Sequence, residues 1–151
     1  MIYVGPGTGC APFRSMIHQI HALRNQGMYV CMMKDTQVIV CHMLTIVSLT
    51  HRTDPSATTL NPVVFFFGCR SKAKDYLYEE ELQQLKGAGT LLDVFPAFSR
   101  DQEHKIYVQH LMRQQAKLVW DILGVRGGYF YLSGYAAGVV QLLCSSPIVH
   151  M

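Results

Sequence analysis

Few folds accommodate the stretch Gly5-Pro6-Gly7-Thr8-Gly9-Cys10-Ala11-Pro12-Phe13-Arg14 in its context. An apolar run, Met1-Ile2-Tyr3-Val4, precedes it, and a helix-like segment from Ser15 to Arg24 follows. Strand, glycine-rich turn and helix, in that order, are what a nucleotide-binding crossover requires. Glycines let the backbone turn sharply and approach a phosphate with no Cβ in the way. The helix start then offers unpaired N–H groups and the positive end of a dipole to an anion. Gly7 and Gly9 are the candidate cradle, and Thr8 could add a hydroxyl. The spacing is neither GxGxxG nor GxxxxGK, so the usual dinucleotide and P-loop signatures do not apply. On these residues alone, a glycine-rich loop joining two buried elements is an equal reading.

The rest of the chain supports an α/β core. At 151 residues it has the length of one domain. Half of the residues are hydrophobic and 15% are charged, a balance that excludes a disordered chain. A net charge of +3 suits an anion site, but no basic stripe or run provides a nucleic-acid footprint. The cysteines Cys10, Cys31, Cys41, Cys69 and Cys144 are odd in number and form no CxxC pair. Neither a disulfide framework nor a zinc site is expected, and a reducing, cytoplasmic compartment is. His18 and His21 lie three apart on the first helix and read as a solvated face. The N-terminus shows no secretory signal.

Four strands are expected, at Ile2–Val4, 63–67, 91–97 and 129–132. On the first helix Phe13, Met16, Ile17 and Ile20 recur at helical spacing and form its sheet-facing side. Helices are expected over 75–85, with an acidic first turn at Glu79-Glu80-Glu81, and over 109–123, with Trp120 as a core or edge anchor. In open α/β sheets a ligand lies outside the carboxyl ends of the strands. Three groups fall there: Gly68-Cys69-Arg70, Ser99-Arg100 and Gly134. Cys69 reads first as a small residue filling a tight strand end. Arg70 has the stronger claim on a phosphate. At Ser99-Arg100 an acidic residue would bind a ribose 2′-hydroxyl; a hydroxyl and an arginine suit a 2′-phosphate. Lys105, Tyr107 and Gln109 alternate, so an extended segment puts them on one side.

Three patterns together resemble the NADP-binding domain of the ferredoxin–NADP reductase superfamily, in its diflavin reductase branch. They are Gly5 to Arg14 (GPGTGCAPFR), Phe66 to Arg70 with Asp75 to Leu82 (FFGCR, DYLYEEEL), and Ala97 to Gln102 with Lys105 to His110. Tyr129 to Gly134 (YFYLSG) is most similar to the branch that serves iron–sulfur protein assembly. The resemblance implies a doubly wound, mostly parallel sheet. It implies that Gly7, Thr8, Gly9, Cys69 and Arg70 contact NADPH, and that Ser99, Arg100, Lys105, Tyr107 and Gln109 hold its 2′-phosphate and adenine. It further implies FAD and FMN in the complete protein, and an anamorsin-like iron–sulfur protein as partner. No catalytic residue is assigned.

Two stretches depart from the pattern. About thirty-five residues, 27–61, stand where the superfamily has a short connection. Their β-branched runs suit a strand pair or an unrelated insertion. Lys34, Asp35 and Gln37 interrupt the apolar run, which argues against a membrane span. At the other end Tyr135 replaces an acidic or amide residue, and 139–151 does not match. The expected organisation is therefore an NADP-binding domain over 1–138, interrupted at about 27–61 and followed by a divergent tail. With no flavin-binding barrel before the first strand, a fragment or truncated product is expected.

Overall fold

The computed structural model describes residues 1–26 and 63–134, and the backbone of 39–41 and 44–50. The expectations for the remainder of 27–62 and for the tail from Tyr135 lie outside the described residues.

Six strands form one sheet in the order β2-β3-β6-β1-β4-β5. They are β1 (Ile2–Pro6), β2 (Ile39–Cys41), β3 (Leu44–Thr50), β4 (Val64–Cys69), β5 (Asp93–Phe98) and β6 (Tyr129–Gly134). β6, β1, β4 and β5 run parallel, with Val4 opposite both Phe66 and Leu132. β2 and β3, from within 27–61, pair antiparallel with each other, and β3 adds antiparallel to β6. The helices are α1 (Cys10–Asn25), α2 (Lys72–Asp75), α3 (Glu79–Gly87), α4 (Val108–Gln114) and α5 (Ala116–Trp120).

The sheet is apolar on both faces because helices cover both, as parallel sheets require. Side chains alternate along each strand. Tyr3, Phe65 and Phe67 therefore meet Phe13, Ile17 and Ile20 of α1 and Leu82 and Leu85 of α3. Ile2, Val4, Val64, Phe66 and Leu132 point the other way, onto Val108 and Met112 of α4 and Val119 of α5. The fold is thus the doubly wound α/β sheet expected. The face predicted for α1 is also the observed one, with Phe13 and Ile17 fully buried and Met16 at its margin.

Several local expectations need correction. The helix expected over 75–85 is two helices, because the chain breaks at Tyr76–Tyr78 and Tyr78 takes φ +69°. Tyr76 is buried in the aromatic core while Leu77 is exposed. The helix expected over 109–123 divides at Gln115 and ends in a π-turn, Asp121–Val125. Trp120 is half exposed; it lies over Gly124 at the surface. Nor are His18 and His21 a purely solvated face. His18 Nε2 lies 2.6 Å from Glu81 Oε1, and His21 Nδ1 lies 2.7 Å from Thr90 Oγ1. Among the described residues no helix is long and apolar enough to cross a membrane.

Candidate functional site

Parallel strands end on the same side, and the chain leaves each of them into a turn that starts a helix. The carboxyl ends of β1, β4 and β5 accordingly open into one crevice of about 740 Å³. Its floor is apolar, with Phe67, Ala97 and Val108, and polar groups stand at its walls. That size and lining suit a nucleotide-sized ligand.

On the β1 side, Gly7–Gly9 form a single 3₁₀ turn leading into α1. Gly7 has φ +60°, and a Cβ built on it would meet nothing within 4 Å. Its backbone is therefore open to a ligand in a conformation that other residues resist. Thr8 is exposed and lines the crevice beside it. Gly9 faces the opposite way. A Cβ there would lie 2.0 Å from the carbonyl oxygen of Ser133, so Gly9 closes the turn onto β6. Ser133 itself is buried, and its hydroxyl has no hydrogen-bond partner among the described residues.

On the β4 side, Cys69 is half-buried and lines the crevice. Burial, followed by the charges of Asp75 and Asp101, pushes its thiol up to about 11. Burial also raises Cys10. Both are protonated at neutral pH, which suits packing and not nucleophilic attack. Arg70 follows on the crevice wall, with Lys74 nearby. Its guanidinium donates to Asp75 through Nε at 3.2 Å and Nη2 at 3.3 Å.

The β4–β5 ladder continues past the strands. The Ser99 N–H donates to the Cys69 carbonyl at 3.0 Å, and the Arg100 N–H to the Arg70 carbonyl at 2.8 Å. Two arginine backbones therefore stand side by side where the sheet ends. Ser99 lines the crevice, whereas Arg100 is exposed beyond its lining. Lys105 is exposed and also outside it. Tyr107 and Gln109 both line it, but not from an extended segment. Tyr107 caps α4, its N–H donating to His110 Nδ1 at 3.1 Å, and Gln109 lies in the first helical turn. Of the ten residues predicted, seven come together here: Gly7, Thr8, Cys69, Arg70, Ser99, Tyr107 and Gln109.

Sequence reasoning did not find Lys74, Asp75, Leu77 and Tyr78, which also line the crevice. The charges at Lys74 and Asp75, so close after Arg70, were the available signal. Tyr78 had none, since its placement depends on a left-handed backbone. The Arg14 guanidinium lies 4.5 Å from the centroid of the Tyr78 ring and donates to Glu81 through Nε at 2.7 Å and Nη2 at 2.8 Å. That hydrogen bond, chiefly, holds the Glu81 carboxyl below the usual carboxylate range. Glu81 thus ties α1 to α3 beside Tyr78. Asp101, which accepts the Lys72 N–H at 2.6 Å, ties the turn after β5 to α2. Among the described residues no group of His, Cys, Asp and Glu is placed to hold a metal.

Known proteins resemble this chain in sequence. The family model described as the oxidoreductase NAD-binding domain matches residues 3–142. NADPH–cytochrome P450 reductase of Drosophila melanogaster is 38% identical over 136 residues, 90% of this chain and 16% of that protein. NADPH-dependent diflavin oxidoreductase 1 of Xenopus laevis is 38% identical over 136 residues, 90% of this chain and 17% of that protein. The same-named protein of Danio rerio is 36% identical over 146 residues, 97% of this chain and 18% of that protein. The chain therefore spans less than a fifth of the length of these relatives. Because the family match runs through nearly all of it, the chain belongs to the oxidoreductase NAD-binding domain family.

Proposed function

We propose that the chain binds NADPH in this crevice and is the NADP-binding domain of a diflavin reductase. In the complete protein electrons would pass from NADPH through FAD and FMN to an iron–sulfur or haem protein acceptor. The observation that carries the reading is the backbone ladder that sets Ser99 and Arg100 beside Cys69 and Arg70 at the ends of β5 and β4. A hydroxyl and a cation at the end of β5 fit a 2′-phosphate better than a free 2′-hydroxyl. The open backbone at Gly7 supports the same reading, because a pyrophosphate could approach it closely.

On this reading each residue has a defined role. Gly7 and Thr8, at the start of α1, would hold the pyrophosphate with Arg70. Gly9 would maintain the turn. Ser99, Arg100 and Lys105 would hold the 2′-phosphate, and Tyr107 and Gln109 the adenine. Cys69 would pack against the bound cofactor as a neutral thiol. NADPH, when bound, supplies a hydride donor; the protein's part is to orient it and exclude water. The reading extends to a cytoplasmic protein with an anamorsin-like iron–sulfur partner.

A second reading is binding without turnover. It requires nothing beyond the crevice described, whereas turnover also requires an electron acceptor beside the nicotinamide. Titration with NADP⁺ and NAD⁺ tests the first reading: NADP⁺ should bind at least about tenfold tighter. Equal affinities would refute it. Incubating the 151-residue chain with NADPH and an artificial acceptor separates the two, since steady NADPH oxidation would contradict binding without turnover.

A further inference from the structure

The crevice contains a carboxylate that an anion site has no direct use for. Asp75 lines it, together with Arg70 and Lys74. Both of its oxygens face the Arg70 guanidinium, at 3.2 and 3.3 Å. These contacts are long for a charge-assisted pair, where 2.7–2.9 Å is usual. The Arg70 side chain is 65% exposed and that of Asp75 29%. An ion pair this open contributes little to stability. Its effect must lie in what it does to Arg70. Asp75 takes one N–H from Nε and one from Nη2, so a phosphate that would grip that same edge of the guanidinium must displace it, while Nη1 keeps both of its N–H groups. The charge of Asp75 is also felt within the crevice, where it helps to raise Cys69.

We infer that Asp75 is a built-in competitor for the ligand's phosphate: it holds the Nε–Nη2 edge of Arg70 and is displaced when a nucleotide phosphate binds there. The inference rests on the reading of the crevice as a phosphate site. Asp75 keeps Arg70 aimed across the crevice wall but lowers affinity and speeds release. It is a positioning residue acting through Arg70, with no required contact to the ligand.

The test is calorimetric titration of ADP and 2′,5′-ADP into the 151-residue chain and its variants. Asp75→Asn keeps the shape and removes the charge. It should bind both nucleotides about three- to tenfold tighter, with correspondingly slower release by stopped flow. In an Arg70→Ala background the same substitution should change affinity less than about twofold, because the contested fork is gone. Asp75→Ser serves as a second variant, and thermal melts establish that each variant is folded. Unchanged or weaker binding by folded Asp75→Asn and Asp75→Ser would overturn the inference. So would an equal gain with and without Arg70, which would mean simple repulsion. A wild-type chain that binds neither nucleotide would refute the phosphate site itself, and the inference with it. Binding by the wild type without a gain in the variants refutes the inference alone.

Discussion

Gly9→Ala probes how closely the Gly7–Gly9 turn is fitted to the sheet. The new methyl would sit 2.0 Å from the Ser133 carbonyl oxygen, 2.6 Å from its carbon and 3.0 Å from Gly134 Cα. All three are backbone atoms of β6, which is hydrogen-bonded to β1 on one side and β3 on the other. No flexible side chain can move aside, so the start of α1 must lift away from β6 by more than an ångström. Phe13 and Ile17, both fully buried on α1, would be pulled with it. Overpacking of this kind costs about 1–3 kcal/mol, and the rigid backbone puts this case near the upper end. A loss of about 3 kcal/mol lowers Tm by roughly 6–12 °C in a domain of this size. The turn carries Gly7 and Thr8, so nucleotide affinity should fall as well. Thermal unfolding by circular dichroism and titration with 2′,5′-ADP measure the two effects. A variant that melts within about 1 °C of wild type and binds equally would refute the close approach of the turn to β6.

Other consequences follow from named contacts. Arg100→Ala should weaken 2′,5′-ADP binding by about ten- to a hundredfold, as loss of a charge-assisted contact worth ~1.5–3 kcal/mol implies, while 5′-AMP binding changes little; equal losses, measured by calorimetry, would remove Arg100 from 2′-phosphate recognition. Glu81 has its carboxyl lowered in the folded state, chiefly by Arg14, so its contribution is present above the unfolded carboxylate range and lost as pH falls through the folded value. Glu81→Gln should therefore destabilise the protein more at pH 7 than in acid, where the carboxyl is progressively protonated; urea titrations at neutral and acid pH check this, and a loss independent of pH would contradict it. Cys69, with its thiol near 11, should alkylate about a hundredfold more slowly at neutral pH than an ordinary cysteine, followed at that peptide by mass spectrometry. Fast alkylation would mean that the thiol is not buried as described.

What could be read from the sequence, and what could not, follows the range of the interactions involved. The sheet was legible because β1 and β4 are continuous apolar runs, and a fully buried parallel strand requires that pattern whatever surrounds it. The turn at Gly7 was legible because its conformation excludes most other residues. Gly9 was expected at the ligand but packs onto Ser133, a contact between residues more than a hundred positions apart that no local pattern carries. The same limit explains His18 and His21: their partners, Glu81 on α3 and Thr90 in the turn after it, lie more than sixty positions further along the chain. The 75–85 helix was misjudged because the acidic run at Glu79–Glu81 gives a good helix start. Nothing in the composition of Tyr76–Tyr78 announces a left-handed break before it. Lys105, Tyr107 and Gln109 alternate as an extended segment would, yet Tyr107 and His110 close a capping box that starts α4 between them. The residues that line the crevice were thus expected mostly from type and position at strand ends, and their geometry came from the fold.

The central claim is that the ends of β4 and β5 recognise a 2′-phosphorylated adenosine. Calorimetric titration of the wild-type chain with 2′,5′-ADP, beside 5′-AMP, tests it most directly. The account predicts saturable binding of 2′,5′-ADP, at least about tenfold tighter than 5′-AMP. Equal binding of the two, or no binding by a chain that melts cooperatively, would contradict it.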